Sequence, residues 1–261
     1  MSAYVLCFDV GNTNTKVALY DGERREAVWR VATASCARSG YVETWLTVLL
    51  ARQGLSPERV QHVGVSSVVP PVDAELRSAC RNLFGRAPLF VSSGVKLPIA
   101  LAYENPRALG ADRIANAAAA RTKYGAPAIV VDCGTATKVE VISAAGVHLG
   151  GAIMPGRQIS VDALVRRAAA LPHVALAPTA VRIPRNLVES LRLGAQLGLV
   201  GAVARLVAEA RAVLGEEAPV VQAGGLVHLF SHSAAPPALA GAVYDPYLTV
   251  DGVRTILALN A

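Results

Sequence analysis

Apolar and polar positions follow two rhythms along this chain. Short apolar runs at Tyr4–Asp9, Thr15–Tyr20, Val60–Val65, Pro88–Val91, Ala128–Asp132, Ala136–Ile142 and Pro219–Gln222 have the length and flanking turn signals of strands. Between them, apolar residues recur at helical spacing over Gly40–Gln53, Asp73–Phe84, Asp112–Lys123, Ile159–Ala170 and Asn186–Leu214. Turn-forming residues at Gly11-Asn12-Thr13-Asn14 and Cys133-Gly134-Thr135 join two pairs of strands into hairpins. Glycines also cluster at Gly150–Gly156 and at Gly224-Gly225. Alternating strands and helices predict an α/β chain. Both hairpins open on Asp-x-Gly followed by hydroxyl residues, which predicts an internal duplication. The boundary is expected near residues 112–118, giving a first lobe over residues 1–115 and a second over 116–261.

Composition narrows the class. With 53% hydrophobic and 17% charged residues the chain has ample material for a core, which excludes disorder. The longest apolar helical stretch, Ala195–Leu214, is interrupted by Gln196, Arg205, Glu209 and Arg211, and the opening apolar run is a core strand without a basic leader, so a soluble protein without a signal peptide is expected. The net charge of +6 admits a nucleic-acid face, but the basic residues are scattered, and Arg24–Arg25 and Arg166–Arg167 are the tightest pairs. That scatter favours a solvated surface. Cys7, Cys36, Cys80 and Cys133 are too far apart to suggest a metal cluster or disulfide framework and read as reduced core thiols. His62, His148, His173, His228 and His232 form no metal or triad spacing and take no role.

Three segments carry candidate chemistry. Asp9-Val-Gly-Asn-Thr-Asn-Thr-Lys16 sets a carboxylate at a strand end, then a glycine and small polar residues whose backbone can approach phosphate oxygens; an ordinary β-turn is the competing reading. Asp132-Cys-Gly-Thr-Ala-Thr137 supplies a second strand-end carboxylate. Burying such a group without a partner is costly, which favours a cation or metal-phosphate ligand over a purely structural role. In the third, Gly110-Ala111-Asp112-Arg113 stands where a loop enters a helix. Asp112 reads locally as the N-cap of that helix, and alternatively as the general base that orients an attacking alcohol, with Arg113 available to a substrate carboxylate.

Together with Gly150–Gly156, Leu171-Pro-His173 and Ser66-Ser-Val-Val-Pro-Pro71, these segments resemble the type III pantothenate kinase family over almost the whole chain. The resemblance implies a duplicated ribonuclease-H-like fold of the actin, Hsp70 and sugar-kinase superfamily, a cytoplasmic homodimer, and ATP-dependent phosphorylation of pantothenate in the first step of coenzyme A synthesis. It implies that Asp9, Gly11, Asn12, Thr13, Asn14, Thr15 and Lys16 meet the ATP phosphates, with Thr135 a second ATP contact. By the same resemblance Tyr103, Gly110, Ala111, Asp112 and Arg113 bind pantothenate, Asp112 is the proton acceptor, Mg²⁺ bridges the phosphates, and Asp132 holds a monovalent cation, potassium or ammonium.

Three positions depart from the family pattern. Lys138 follows the second hairpin where the family has threonine; a three-residue turn would set it opposite Asp132, where its ammonium could displace the cation. Leu187 replaces a threonine that contacts pantothenate, and losing one neutral hydrogen bond typically costs about 1 kcal/mol. Ala223 replaces a threonine before Gly224-Gly225. These departures keep two other readings open: a non-catalytic relative akin to the Bvg accessory factor, and a kinase acting on a different small alcohol.

Overall fold

A computed structural model describes residues 4–168, 170–177, 179, 183–215, 218–225 and 236–261. His228 and His232 lie outside the described residues. The chain divides into two units, residues 1–123 with 247–261, and residues 124–246. The division expected after residue 115 therefore falls eight residues later, and the C-terminal segment returns to the first unit. The reason is packing: Ile114, Ala115 and Ala118 belong to one buried cluster with Val250, Val253 and Ile256, so neither helix can be separated from the first unit's sheet.

The first unit holds a sheet of β1 (Tyr4–Val10), β2 (Asn14–Asp21), β3 (Arg24–Ala32), β4 (Val60–Ser67) and β5 (Leu89–Phe90), in the order β3-β2-β1-β4-β5. The first three strands are antiparallel, and β4 and β5 run parallel to β1. One face, formed by Leu6, Phe8, Val10, Val17 and Leu19, packs on helices α1 (Thr33–Cys36), α2 (Tyr41–Arg52) and α3 (Pro70–Phe84). The opposite face, with Cys7, Ala18 and Tyr20, is covered by α4 (Ala111–Tyr124) and the C-terminal helix. A two-residue strand, β6, spans Ala100–Leu101.

In the second unit β7 (Ala128–Cys133), β8 (Ala136–Ile142), β9 (Val147–Pro155), β10 (Val220–Ala223) and β11 (Val243–Tyr244) lie in the order β9-β8-β7-β10-β11. Again the first three are antiparallel and the last two parallel to the first. The two units thus repeat one topology strand for strand, as the paired hairpins predict. Helices α5 (Arg157–Arg167) and α6 (Leu187–Leu214) belong to this unit, and Leu199, Val203, Val207 and Ala210 of α6 bury against Ile129, Val131 and Val220. Asn186 caps α6 by accepting from Glu189 N at 2.9 Å.

Several elements fall outside the sequence expectations, and three of them bear on the packing. β3 carries Arg24, Arg25, Glu26 and Arg30, charges that an edge strand tolerates because one of its sides lies open to solvent, while Arg25 pairs with Asp251. β9 runs through Gly150 and Gly151, which the sequence shows only as a glycine cluster; β8 approaches so closely that a Cβ on Gly151 would lie 1.8 Å from the Val139 carbonyl oxygen. The third is the C-terminal helix α7 (Leu248–Ala258). It is fixed by Asp251, whose carboxylate accepts from Tyr20 Oη at 2.6 Å and Arg25 Nη1 at 2.9 Å and pairs with Lys123 Nζ at 2.5 Å. Among the described residues no helix is long and apolar enough to cross a membrane.

Helix α7 touches α4 through Gly252, where an added Cβ would stand 1.9 Å from the Ala115 carbonyl oxygen. Gly252→Ala is expected to destabilise the chain by about 1–3 kcal/mol or more, because two backbones would have to part. A urea melt with an unchanged midpoint would contradict this packing.

All four cysteines are free and buried. Burial, then the neighbouring Asp132 charge, pushes Cys133 up from 9.0 to about 12, and burial alone does the same to Cys80. The folded chain therefore keeps protons that the unfolded chain loses above pH 9.0. Stability should be insensitive to these thiols below that value and should fall as pH rises from it towards about 12. Native protein should not react with a thiol reagent at neutral pH, and all four thiols should react in denaturant; fast native labelling would overturn the assignment.

Candidate active site

The candidate residues form one polar group in each unit. In the first, β1 and β2 pair up to Val10 opposite Thr15, leaving Gly11–Asn14 as the hairpin tip, closed by Gly11 N donating to Asn14 O at 3.1 Å. Asn12 and Thr13 are exposed, and Asn14 is partly so. The tip is anchored from below by Thr33, whose hydroxyl donates to the Gly11 carbonyl at 2.6 Å and whose amide donates to Thr13 O at 3.0 Å. Thr15, expected among the phosphate contacts, is instead 1% exposed, with its hydroxyl 3.0 Å from that of Thr33. It supports the tip from inside the core and faces no ligand from this position.

Asp9 and Lys16 stand directly opposite each other one pair below the tip, on the sheet face that carries Cys7 and Ala18. The Lys16 ammonium lies 5.9 Å from the centre of the Tyr247 ring, over which the Arg25 guanidinium stacks at 3.7 Å. Tyr247 could not be found from sequence, because it is reached only when the C-terminal segment returns to this unit. Ser66 adjoins Asp9 in the parallel strand β4 and is fully buried.

The same face carries α4. Ile114 N donates to the Gly110 carbonyl at 3.1 Å, so Gly110 takes the cap position and Asp112 is the second residue of the helix, not its N-cap. Asp112 Oδ1 accepts from the Arg113 amide at 2.9 Å. A Cβ on Gly110 would come within 2.7 Å of that oxygen, so the glycine gives the carboxylate its room. Ala111 packs into the buried cluster, and the nearly buried Arg113 donates through Nη1 to Tyr103 Oη at 3.2 Å. The structure thus joins Tyr103, Gly110, Ala111, Asp112 and Arg113 around one helix start.

In the second unit the hairpin closes over Gly134–Ala136, with Gly134 N donating to Ala136 O at 3.1 Å and Thr135 exposed at the tip. This three-residue turn sets Asp132 opposite Lys138, and Lys138 Nζ lies 3.1 Å from Asp132 Oδ2. Beside them β10 ends at Ala223, in register with Asp132 and buried. Gly224 follows with φ +89°, and a Cβ there would strike the Cys133 carbonyl oxygen at 2.3 Å and Asp132 Oδ1 at 2.8 Å. Leu187 opens α6 with more than half of its surface exposed. His148, by contrast, is internal, its Nε2 2.7 Å from Glu140 Oε2.

Among the described residues no cluster of three or more histidines, cysteines and carboxylates could hold a metal by protein ligands alone. What the geometry offers is an exposed, glycine-bearing tip beside a strand-end carboxylate in each unit, and in the first unit a helix start bearing a carboxylate and a guanidinium. Such parts suit phosphoryl transfer, in which positioning and charge stabilisation do most of the work.

Comparison with known proteins agrees. Among solved structures, a conserved Baf family transcriptional activator from Campylobacter jejuni has a TM-score of 0.59 at 19% identity, covering 98% of both chains. An inorganic polyphosphate/ATP-glucomannokinase from Arthrobacter sp. strain KM has a TM-score of 0.54 at 14% identity, covering 99% of this chain and 100% of that one. At such identities these likenesses carry the fold alone, a duplicated α/β architecture. In sequence, type III pantothenate kinases of Anaeromyxobacter sp. (strain K) and Roseiflexus castenholzii are 41% and 40% identical, each match covering 98% of this chain and 99% of the relative. The family model described as type III pantothenate kinase matches residues 5–209, and the chain belongs to that family.

Proposed function

We propose that the chain transfers the γ-phosphoryl group of ATP to the primary alcohol of pantothenate, yielding 4'-phosphopantothenate for coenzyme A synthesis. The observation that carries this reading is the 41% identity along the full length to a type III pantothenate kinase. Its local support is that the Asp9–Lys16 hairpin and Asp112 are both present and folded on one face of the first unit's sheet.

In this reading the backbone of Gly11–Asn14 and the Lys16 ammonium receive the ATP phosphates, and Thr135 makes a further contact. Thr15 keeps the tip in shape through Thr33. A magnesium ion bound mostly by phosphate oxygens needs only one or two protein carboxylates, and the half-buried strand-end Asp9 fits that donor set. When bound, the ion neutralises charge on the transferring group. Arg113, held by Tyr103, faces the carboxylate of pantothenate, and Asp112 accepts the proton of its hydroxyl and aims the oxygen for in-line attack. Leu187 offers pantothenate an apolar contact and no hydrogen bond. The departures at Lys138, Leu187 and Ala223 leave Asp9, the first tip and Asp112 intact, so the non-catalytic reading has less support.

The reaction belongs in the cytoplasm, where ATP is made and free thiols stay reduced. We also read the chain as a homodimer. In the second unit Leu149 and Ile153 of β9, Ile159 and Leu164 of α5, and Leu187 and Leu197 of α6 are all exposed, an apolar set suited to a second copy. Light scattering should return the mass of two chains; a one-chain mass at assay concentration would refute the dimer.

Asp112→Asn tests the mechanism. Asparagine keeps the shape and the oxygen that accepts from Arg113 N, so the fold should survive while turnover falls by about 10²–10⁴, the scale of general-base catalysis. Direct detection of phosphorylated pantothenate is the readout. A variant that retains turnover would remove Asp112 from the chemistry, and a wild-type chain that phosphorylates another alcohol but not pantothenate would change the substrate.

A further inference from the structure

We propose that the Lys138 ammonium is a built-in substitute for the monovalent cation at Asp132, so that this enzyme works without potassium or ammonium ions. The proposal rests on the kinase reading above. The resemblance puts a potassium or ammonium ion on Asp132, but the residues here do not fit one. Lys138 Nζ stands 3.1 Å from Asp132 Oδ2, a charge-assisted hydrogen bond formed where both side chains are only 16% and 15% exposed.

The placement follows from the backbone. The three-residue turn makes Asp132 and Lys138 direct cross-strand neighbours, so their side chains leave the same face of the sheet. On its other side Lys138 pairs in register with Ile153 of β9. Gly224 closes on Asp132 Oδ1 so tightly that not even a Cβ fits. An ion on the same carboxylate would have to share this space with the ammonium, and two like charges a few ångströms apart repel strongly where water is scarce.

Chemistry also favours the exchange. A lysine ammonium is a compact, strongly hydrated charge with rotatable donors, in effect an ammonium ion with one hydrogen replaced by an alkyl tether. The tether holds it beside Asp132 at a high effective concentration, independent of the ions in solution. Lys138 touches no reacting atom in this account; it is a positioning residue that keeps Asp132 neutralised and in place.

The test uses the full chain in choline buffer free of potassium and ammonium, with product measured directly. Wild-type turnover should be unchanged on adding potassium chloride. Lys138→Thr should lose activity by about tenfold or more in choline, the scale of one hydrogen bond to a charged group, and recover it in potassium. A separate readout is the melting temperature in potassium against choline chloride, which should rise for Lys138→Thr and stay level for wild type. Wild-type turnover that requires potassium, or a Lys138→Thr chain whose activity and melting ignore potassium, would overturn the proposal. Wild type inactive under both conditions would sink the kinase reading instead, and the melting comparison would still decide the role of Lys138. Should Lys138→Thr fail to fold, the wild-type potassium response decides alone.

Discussion

The pairing register of two β-hairpins is the constraint on which the rest of the site depends. A strand turns successive side chains to opposite faces, so a slip of one residue would carry each strand-end aspartate to the wrong side of its sheet. In the first hairpin a four-residue tip sets Asp9 opposite Lys16, and in the second a three-residue tip sets Asp132 opposite Lys138. Different turns thus reach the same juxtaposition of a carboxylate and an ammonium just below a glycine-bearing tip. The apolar neighbours enforce it: Phe8, Val10 and Val17 in one unit, and Val131, Cys133 and Val139 in the other, are buried only in this register.

The two pairs have nevertheless diverged in their surroundings. Lys16 reaches towards the ring of Tyr247, whereas Lys138 turns onto Asp132 under the backbone of Gly224. Duplication supplied the scaffold twice, and the tasks we propose for the copies differ, phosphate handling in the first and charge neutralisation in the second.

Much of this was legible in the sequence because the hairpins signal themselves locally. Continuous apolar runs bounded by Asp-x-Gly can hardly be anything but strands meeting at a tip, and the repeated device disclosed the duplication. Asn186, three residues before Glu189, marked the start of α6 for the same local reason. What stayed hidden depends on partners far along the chain. Nothing near Gly150 and Gly151 says that a neighbouring strand will press on them, and nothing near Arg24–Ala32 says that a charged segment will complete an edge. Thr15 looked like its neighbours at the tip until strand alternation turned it inwards to Thr33. Asp112 lies two residues inside the helix because Gly110 takes the cap, a place glycine fills less often than aspartate but one that spacing alone does not assign.

Helix α7 gives the chain an unusual order of completion. Residues 124–246 form their own unit between the two pieces of the first. During vectorial synthesis the second unit can emerge and fold while the first waits, its sheet face at Cys7, Ala18 and Tyr20 covered by α4 alone, for a helix made later. The part of the protein made first is therefore the last to be finished. The face bearing Asp9, Lys16 and the start of α4 takes its final form only when Asp251 arrives to receive Tyr20, Arg25 and Lys123.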